Sequence, residues 1–98
     1  MATGTISKEF YVDTFNMPEF TVTGGTPGTY SSTIETVIEK PGYQPISCSL
    51  HQFGHPGTYF AIIHIYGTKV YANIFRANTS GGTFSQGDIK IRVVYRKL

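Results

Sequence analysis

Ninety-eight residues suffice for one hydrophobic core and not for two, since cores fill at roughly 100 to 150 residues. With 40% hydrophobic and 14% charged residues, 11 Gly, 7 Tyr and 7 Phe, the composition excludes a disordered segment, a collagen-like chain and a long-helix protein. The formal charge of +2 is too small for a nucleic-acid footprint, although Lys90, Arg92, Arg96 and Lys97 crowd the C-terminus.

β-Branched and aromatic residues punctuated by Gly, Pro, Asn and Ser predict an all-β domain of about seven strands. The first, around residues 5 to 12, alternates Ile6, Lys8, Phe10 and Val12 with Ser7, Glu9, Tyr11 and Asp13, so its mostly apolar face is the former set. A short strand around Glu19 to Thr23 leads into Gly24-Gly25-Thr26-Pro27-Gly28, which reads as a flexible loop. Residues 31 to 40 are ambiguous. Ile34, Val37 and Ile38 have helical spacing, and Ser32 with Glu35 resembles a capping box. Thr33, Ile34, Thr36, Val37 and Ile38 are all β-branched, however, and the strand reading is preferred.

After Pro41-Gly42, Ile46, Cys48 and Leu50 alternate with Ser47, Ser49 and His51, predicting a strand with an apolar and a polar face. Residues Phe53 to Gly57 end it. Tyr59 to Tyr66, Gly67-Thr68 and Lys69 to Arg76 then predict a hairpin closed by a two-residue type II′ turn. Such a loop fixes register: Tyr59, Ala61, Ile63 and Ile65 oppose Arg76, Ile74, Ala72 and Val70 on a core face. The other face pairs Phe60 with Phe75, Ile62 with Asn73, His64 with Tyr71 and Tyr66 with Lys69. It is too apolar for water, and large exposed apolar patches mark interaction surfaces. Either a second sheet of the same chain covers it or another subunit does, and on the second reading Phe60, Ile62, His64, Tyr66, Tyr71 and Phe75 are candidate subunit-interface residues. After a loop at Asn78 to Gly82, Ile89, Ile91, Val93 and Tyr95 form the apolar face of a last strand.

Few residues suggest chemistry. His51, His55 and His64 invite a metal reading, but their spacing matches no known ligand set, and no metal or other cofactor is expected. Ser47, Cys48 and Ser49 lack a recognisable histidine and carboxylate partner, and the phosphate-binding and nucleophile-elbow motifs are missing, so no enzyme is expected. Cys48 is the lone cysteine. No apolar run is long enough for a membrane helix, and no basic start leads into an apolar signal core. Aromatic rings can stack on sugars while polar side chains bond the hydroxyls. Gln52, Phe53, His55, Tyr59, Arg76 and Asn78, near one end of the hairpin, are the candidate ligand-binding residues.

Three motifs occur in order: Lys40-Pro41-Gly42-Tyr43-Gln44-Pro45-Ile46, Phe75-Arg76-Ala77-Asn78-Thr79-Ser80, and Ile91-Arg92-Val93-Val94-Tyr95-Arg96-Lys97. Together they resemble the small C-terminal β domain of phage tail-fibre and minor tail (receptor-binding) proteins of Gram-positive gut bacteria. The likeness spans Lys40 to Leu98, and Ile6 to Lys40 fits the family's leading strands loosely. Ala77 departs from the pattern by splitting its Arg-Asn pair, and the loop from His51 to Tyr59 is individual to this chain. The length and strand pattern predict a single β-sandwich domain over residues 1–98, and the missing signal core predicts synthesis in the bacterial cytoplasm without a signal peptide. The resemblance implies assembly as a homotrimer and a virion component, structural and adhesive, contacting a host-surface glycan or protein. The alternative is a stand-alone, lectin-like carbohydrate-binding module.

Overall fold

The computed structural model describes residues 9–98, which contain no helix. Eight strands form: β1 (Phe10–Asn16), β2 (Phe20–Val22), β3 (Tyr30–Val37), β4 (Tyr43–Phe53), β5 (Tyr59–Tyr66), β6 (Lys69–Arg76), β7 (Gly82–Phe84) and β8 (Ile89–Lys97). They make three antiparallel sheets, ordered β1-β8-β4, β2-β7 and β3-β6-β5. The fold is all-β.

The central strands β8 and β6 show why. Ile89, Ile91, Val93 and Tyr95 of β8 and Val70, Ala72 and Ile74 of β6 are fully buried, every second residue in each case. Strand geometry sends alternate side chains to opposite faces, and burying a side chain the size of Val or Ile is worth about 1.5 to 3 kcal/mol. With Met17, Phe20, Val22, Ile38, Tyr59 and Phe84 they form one buried cluster to which all three sheets contribute.

The hairpin has the register the sequence predicts, from Tyr59 opposite Arg76 to Tyr66 opposite Lys69. Gly67 has φ +65°, and Thr68 lacks a positive φ, the pattern of a type II′ turn. Residues 30 to 37 are strand, as preferred, because Ile34 lies opposite buried Ala72. Ile38 then donates its N–H to the Thr68 carbonyl at 2.8 Å and is itself buried.

Other expectations need correction. Residues 5 to 8 of the first predicted strand lie outside the described residues, and β1 runs four residues past its predicted end. Its faces are the reverse of those expected. Tyr11, Asp13 and Phe15 oppose the buried Tyr95, Val93 and Ile91, while Phe10 and Val12 point outward and are exposed. In β4 the expected apolar set splits, because the register shifts between Pro45 and Ser47 and again between Leu50 and Gln52. Each shift adds an unpaired residue and breaks alternation. Cys48 packs on the core, whereas Ile46 and Leu50 are exposed. The unexpected β7 pairs with β2, a partner far away in sequence.

The glycine loop of residues 24 to 28 is shaped around Arg76. A Cβ on Gly25 would come within 2.7 Å of Arg76 Nε.

Gly67→Val tests the turn. Nothing lies within 4 Å of an added Cβ, so the cost is purely the positive φ. We expect a loss on the order of 1 to 3 kcal/mol, seen as a fall in Tm of at least about 4 °C in a thermal melt.

Candidate functional site

The outward side of β3-β6-β5 gathers the six hairpin residues expected at an interface. Phe60 and Phe75 stack with ring centroids 5.3 Å apart and planes 9° apart, and His64 stacks on Tyr71 at 5.4 Å and 13°. Tyr66 meets Tyr71 at 6.4 Å. The same face extends onto β3, which sequence reading left out: Tyr30 packs edge-on to Phe75, and Val37 lies opposite Lys69. Strand alternation in residues 30 to 37 carries the signal for both once β6 is known to be the neighbour. A polar thread crosses the face, from the Tyr30 hydroxyl to Thr33 and from Thr33 to Asn73 Oδ1, each bond 2.8 Å. Lys69 Nζ donates to Glu35 Oε1 at 3.0 Å, and this bond raises the Lys69 pKa from its ordinary value. Ile62 and Tyr66 remain 56% and 74% exposed, so the described residues leave much of the face unshielded.

The six candidate ligand residues cluster at the other end of the hairpin, but most serve the fold. Tyr59 is fully buried between Phe20, Phe53 and Phe84, with ring centroids 4.8 to 4.9 Å away. Its ring is closed to a sugar, which corrects its reading as a stacking platform. Arg76 donates Nε to the Thr23 carbonyl at 2.7 Å, Nη1 to the Tyr30 carbonyl at 2.5 Å and Nη2 to Thr23 Oγ1 at 2.5 Å. Asn78 donates to the Gly57 carbonyl and accepts from the Ser80 N–H at 2.8 Å, tying the two loops together. Gln52 donates to the Gly87 carbonyl at 3.3 Å, and Phe53 is half-buried against Tyr59. His55 is exposed, has φ +56°, and lies 3.4 Å from Asp88 Oδ2.

The histidines do not converge. His51 accepts from Arg92 on β4's neighbour, His55 sits by Asp88, and His64 is on the outward face of β5. Among the described residues no group of three His, Cys, Asp or Glu side chains is placed to hold a metal ion. Burial pushes the Cys48 thiol up from its ordinary value, which favours the less nucleophilic protonated form.

No family model, curated protein or solved structure matches the chain.

Two buried tyrosines differ in one respect. The Tyr95 hydroxyl donates to the Ile38 carbonyl at 2.6 Å, whereas the Tyr59 hydroxyl is buried with no partner among the described residues. Tyr95→Phe should cost on the order of 1 to 3 kcal/mol by orphaning that carbonyl, and Tyr59→Phe should be neutral or stabilising, as measured by urea unfolding. Burial is the main reason both phenols are pushed up to about 12, with Asp88 adding to it at Tyr59 and Asp13 at Tyr95. The folded state thus holds these protons after the unfolded chain has lost them. Their stabilisation is complete below pH 10 and should decline between pH 10 and about 12, lowering the urea midpoint over that window.

Proposed function

We propose that the chain is a β-sandwich domain of a phage tail fibre or baseplate tip, a virion component that forms a homotrimer and contacts a host-surface glycan or protein. The observation that carries the reading is the outward face of β3-β6-β5. Tyr30, Val37, Phe60, Ile62 and Tyr66 are each at least 40% exposed there. Apolar side chains grouped on one face are characteristic of an interaction surface, and contact with further copies of the chain would remove them from water. The phage setting and the three-fold symmetry come from the resemblance of residues 40 to 98. Its first and last motifs belong to one structural unit, since Tyr43 pairs with Lys97 and Leu98 donates its N–H to the Gly42 carbonyl.

The stand-alone carbohydrate-binding reading is less well supported. Tyr59 is inaccessible, and the polar groups of Gln52, Arg76 and Asn78 are bonded to main-chain carbonyls, which leaves His55 and the half-buried Phe53.

Light scattering tests the assembly. The parent should have a mass of three times the 10.8 kDa chain, or a multiple of that. Phe60→Glu places a charge in the proposed seam without touching the buried cluster. It should abolish the three-fold species while preserving the far-UV spectrum. A parent consisting of one or two chains, or a Phe60→Glu protein that keeps the trimer mass, overturns the reading.

A further inference from the structure

A strand at the margin of a sheet offers a row of unpaired N–H and C=O groups, and proteins blunt such margins with short strands, bulges, prolines or charges. Five margins here are blunted. β2 and β7 have three residues each. β1 carries Asp13 on its core-facing side, β4 has Pro45 and two register shifts, and β3 has a register shift between Tyr30 and Ser32 together with Glu35. β5 has none of these devices. Its eight residues, Tyr-Phe-Ala-Ile-Ile-His-Ile-Tyr, include no Pro, Gly, Asp, Glu, Lys or Arg, and its register is unbroken. Among the described residues, no strand pairs with its outer side.

The hydrogen bonds say which groups face that margin. Ala77 donates its N–H to the Thr58 carbonyl at 3.1 Å, while the N–H and C=O of Arg76 bond to Thr29 and Gly28, on the opposite side of β6. Bonded and non-bonded pairs alternate along an antiparallel ladder. Tyr59, Ala61, Ile63 and Ile65 therefore aim their main-chain groups away from β6. Ala61, Ile63 and Ile65 are also only half-buried, although their β6 partners Ile74, Ala72 and Val70 are fully buried.

We propose that β5 pairs with β5 of a second copy of this chain, antiparallel about a two-fold axis, with Ile63 opposite its own symmetry mate. This register sets Ala61 opposite Ile65, a small side chain against a large one, on the core-facing side. On the outward side Phe60 falls opposite Tyr66 and Ile62 opposite His64. The strand is thus its own complement. The pairing also closes, because the joined sheet β3-β6-β5-β5-β6-β3 ends in two β3 margins, each with its bulge and Glu35. It uses a main-chain edge and not the outward face, and so does not rest on the three-fold assembly.

The test is a cross-link. Opposed residues of a bonded antiparallel pair have Cα atoms about 5.5 Å apart, within disulfide reach. In a Cys48→Ser background, Ile63→Cys should give a covalent dimer on mild oxidation, and exposed Thr83→Cys on β7 should not. As a second measurement, Ala61→Pro removes an outward-pointing N–H and leaves the β5-β6 ladder its bonds. Introduced into Val37→Glu, which puts a charge on the outward face at β3 and away from the β5 margin, it should halve the mass from two chains to one. An uncross-linked Ile63→Cys protein and a monomeric Val37→Glu protein would together overturn the pairing. That result would leave the three-fold reading intact. A parent of two chains that cross-links at Ile63→Cys supports the pairing and overturns the trimer.

Discussion

Burial of one side of β8 and one side of β6 is the constraint on which the other strands depend. Each central strand is bonded on both margins, so its alternation dictates which residues of β1, β4, β3 and β5 face inward. β1 shows how strongly. It turns Asp13 toward the core side, because the same register lets Phe15 pack on the cluster and brings the Tyr11 ring 6.2 Å from Tyr95. At that end Lys40 Nζ lies 3.9 Å from the Tyr11 ring centroid and 5.2 Å from that of Tyr43, a cation over two aromatic faces.

At the opposite end Arg76 does comparable work with polar groups. A planar guanidinium presents its donors in a fixed fork, and here the fork reaches Thr23, Thr29 and Tyr30. The segment between β2 and β3 has little apolar content of its own, and these bonds give it a defined path. Lysine could not replace this arrangement, having a single nitrogen where three atoms of Arg76 are engaged. The aromatic cluster of Phe20, Tyr59 and Phe84 lies nearby and joins the small β2-β7 sheet to the larger ones.

The hairpin was legible in the sequence because its determinants are local: Gly67 sets the turn, and the turn sets every pair from Tyr66 to Tyr59. The grouping of Phe60, Ile62, His64, Tyr66, Tyr71 and Phe75 on one face follows from that register. Features set by distant partners were not legible. Residues 10 to 16 are apolar on both faces, and only β8 decides that Phe15 goes in and Val12 stays out. The bulges of β4 have no turn residue to announce them, and β7 exists only by pairing with β2, where Thr83 lies opposite Thr21, 62 positions earlier. The structural roles of the loop residues were hidden for a similar reason. Tyr59, Arg76 and Asn78 are suited to binding a ligand and equally suited to bonding and packing within the chain, and composition does not distinguish the two uses.

The placement of β1 bears on how the chain is made. Among the described residues its sole ladder partner is β8, and Asn16 and Lys90, bonded through their side chains, are 74 positions apart. At ribosomal rates of about 5 to 20 residues per second, roughly 4 to 15 s separate their synthesis. Throughout that interval Tyr11 and Phe15 have no sheet to join, while β5 and β6, adjacent in sequence, can already pair. The hairpin can therefore form before β1, whose aromatic residues stay unpaired until β8 has been made.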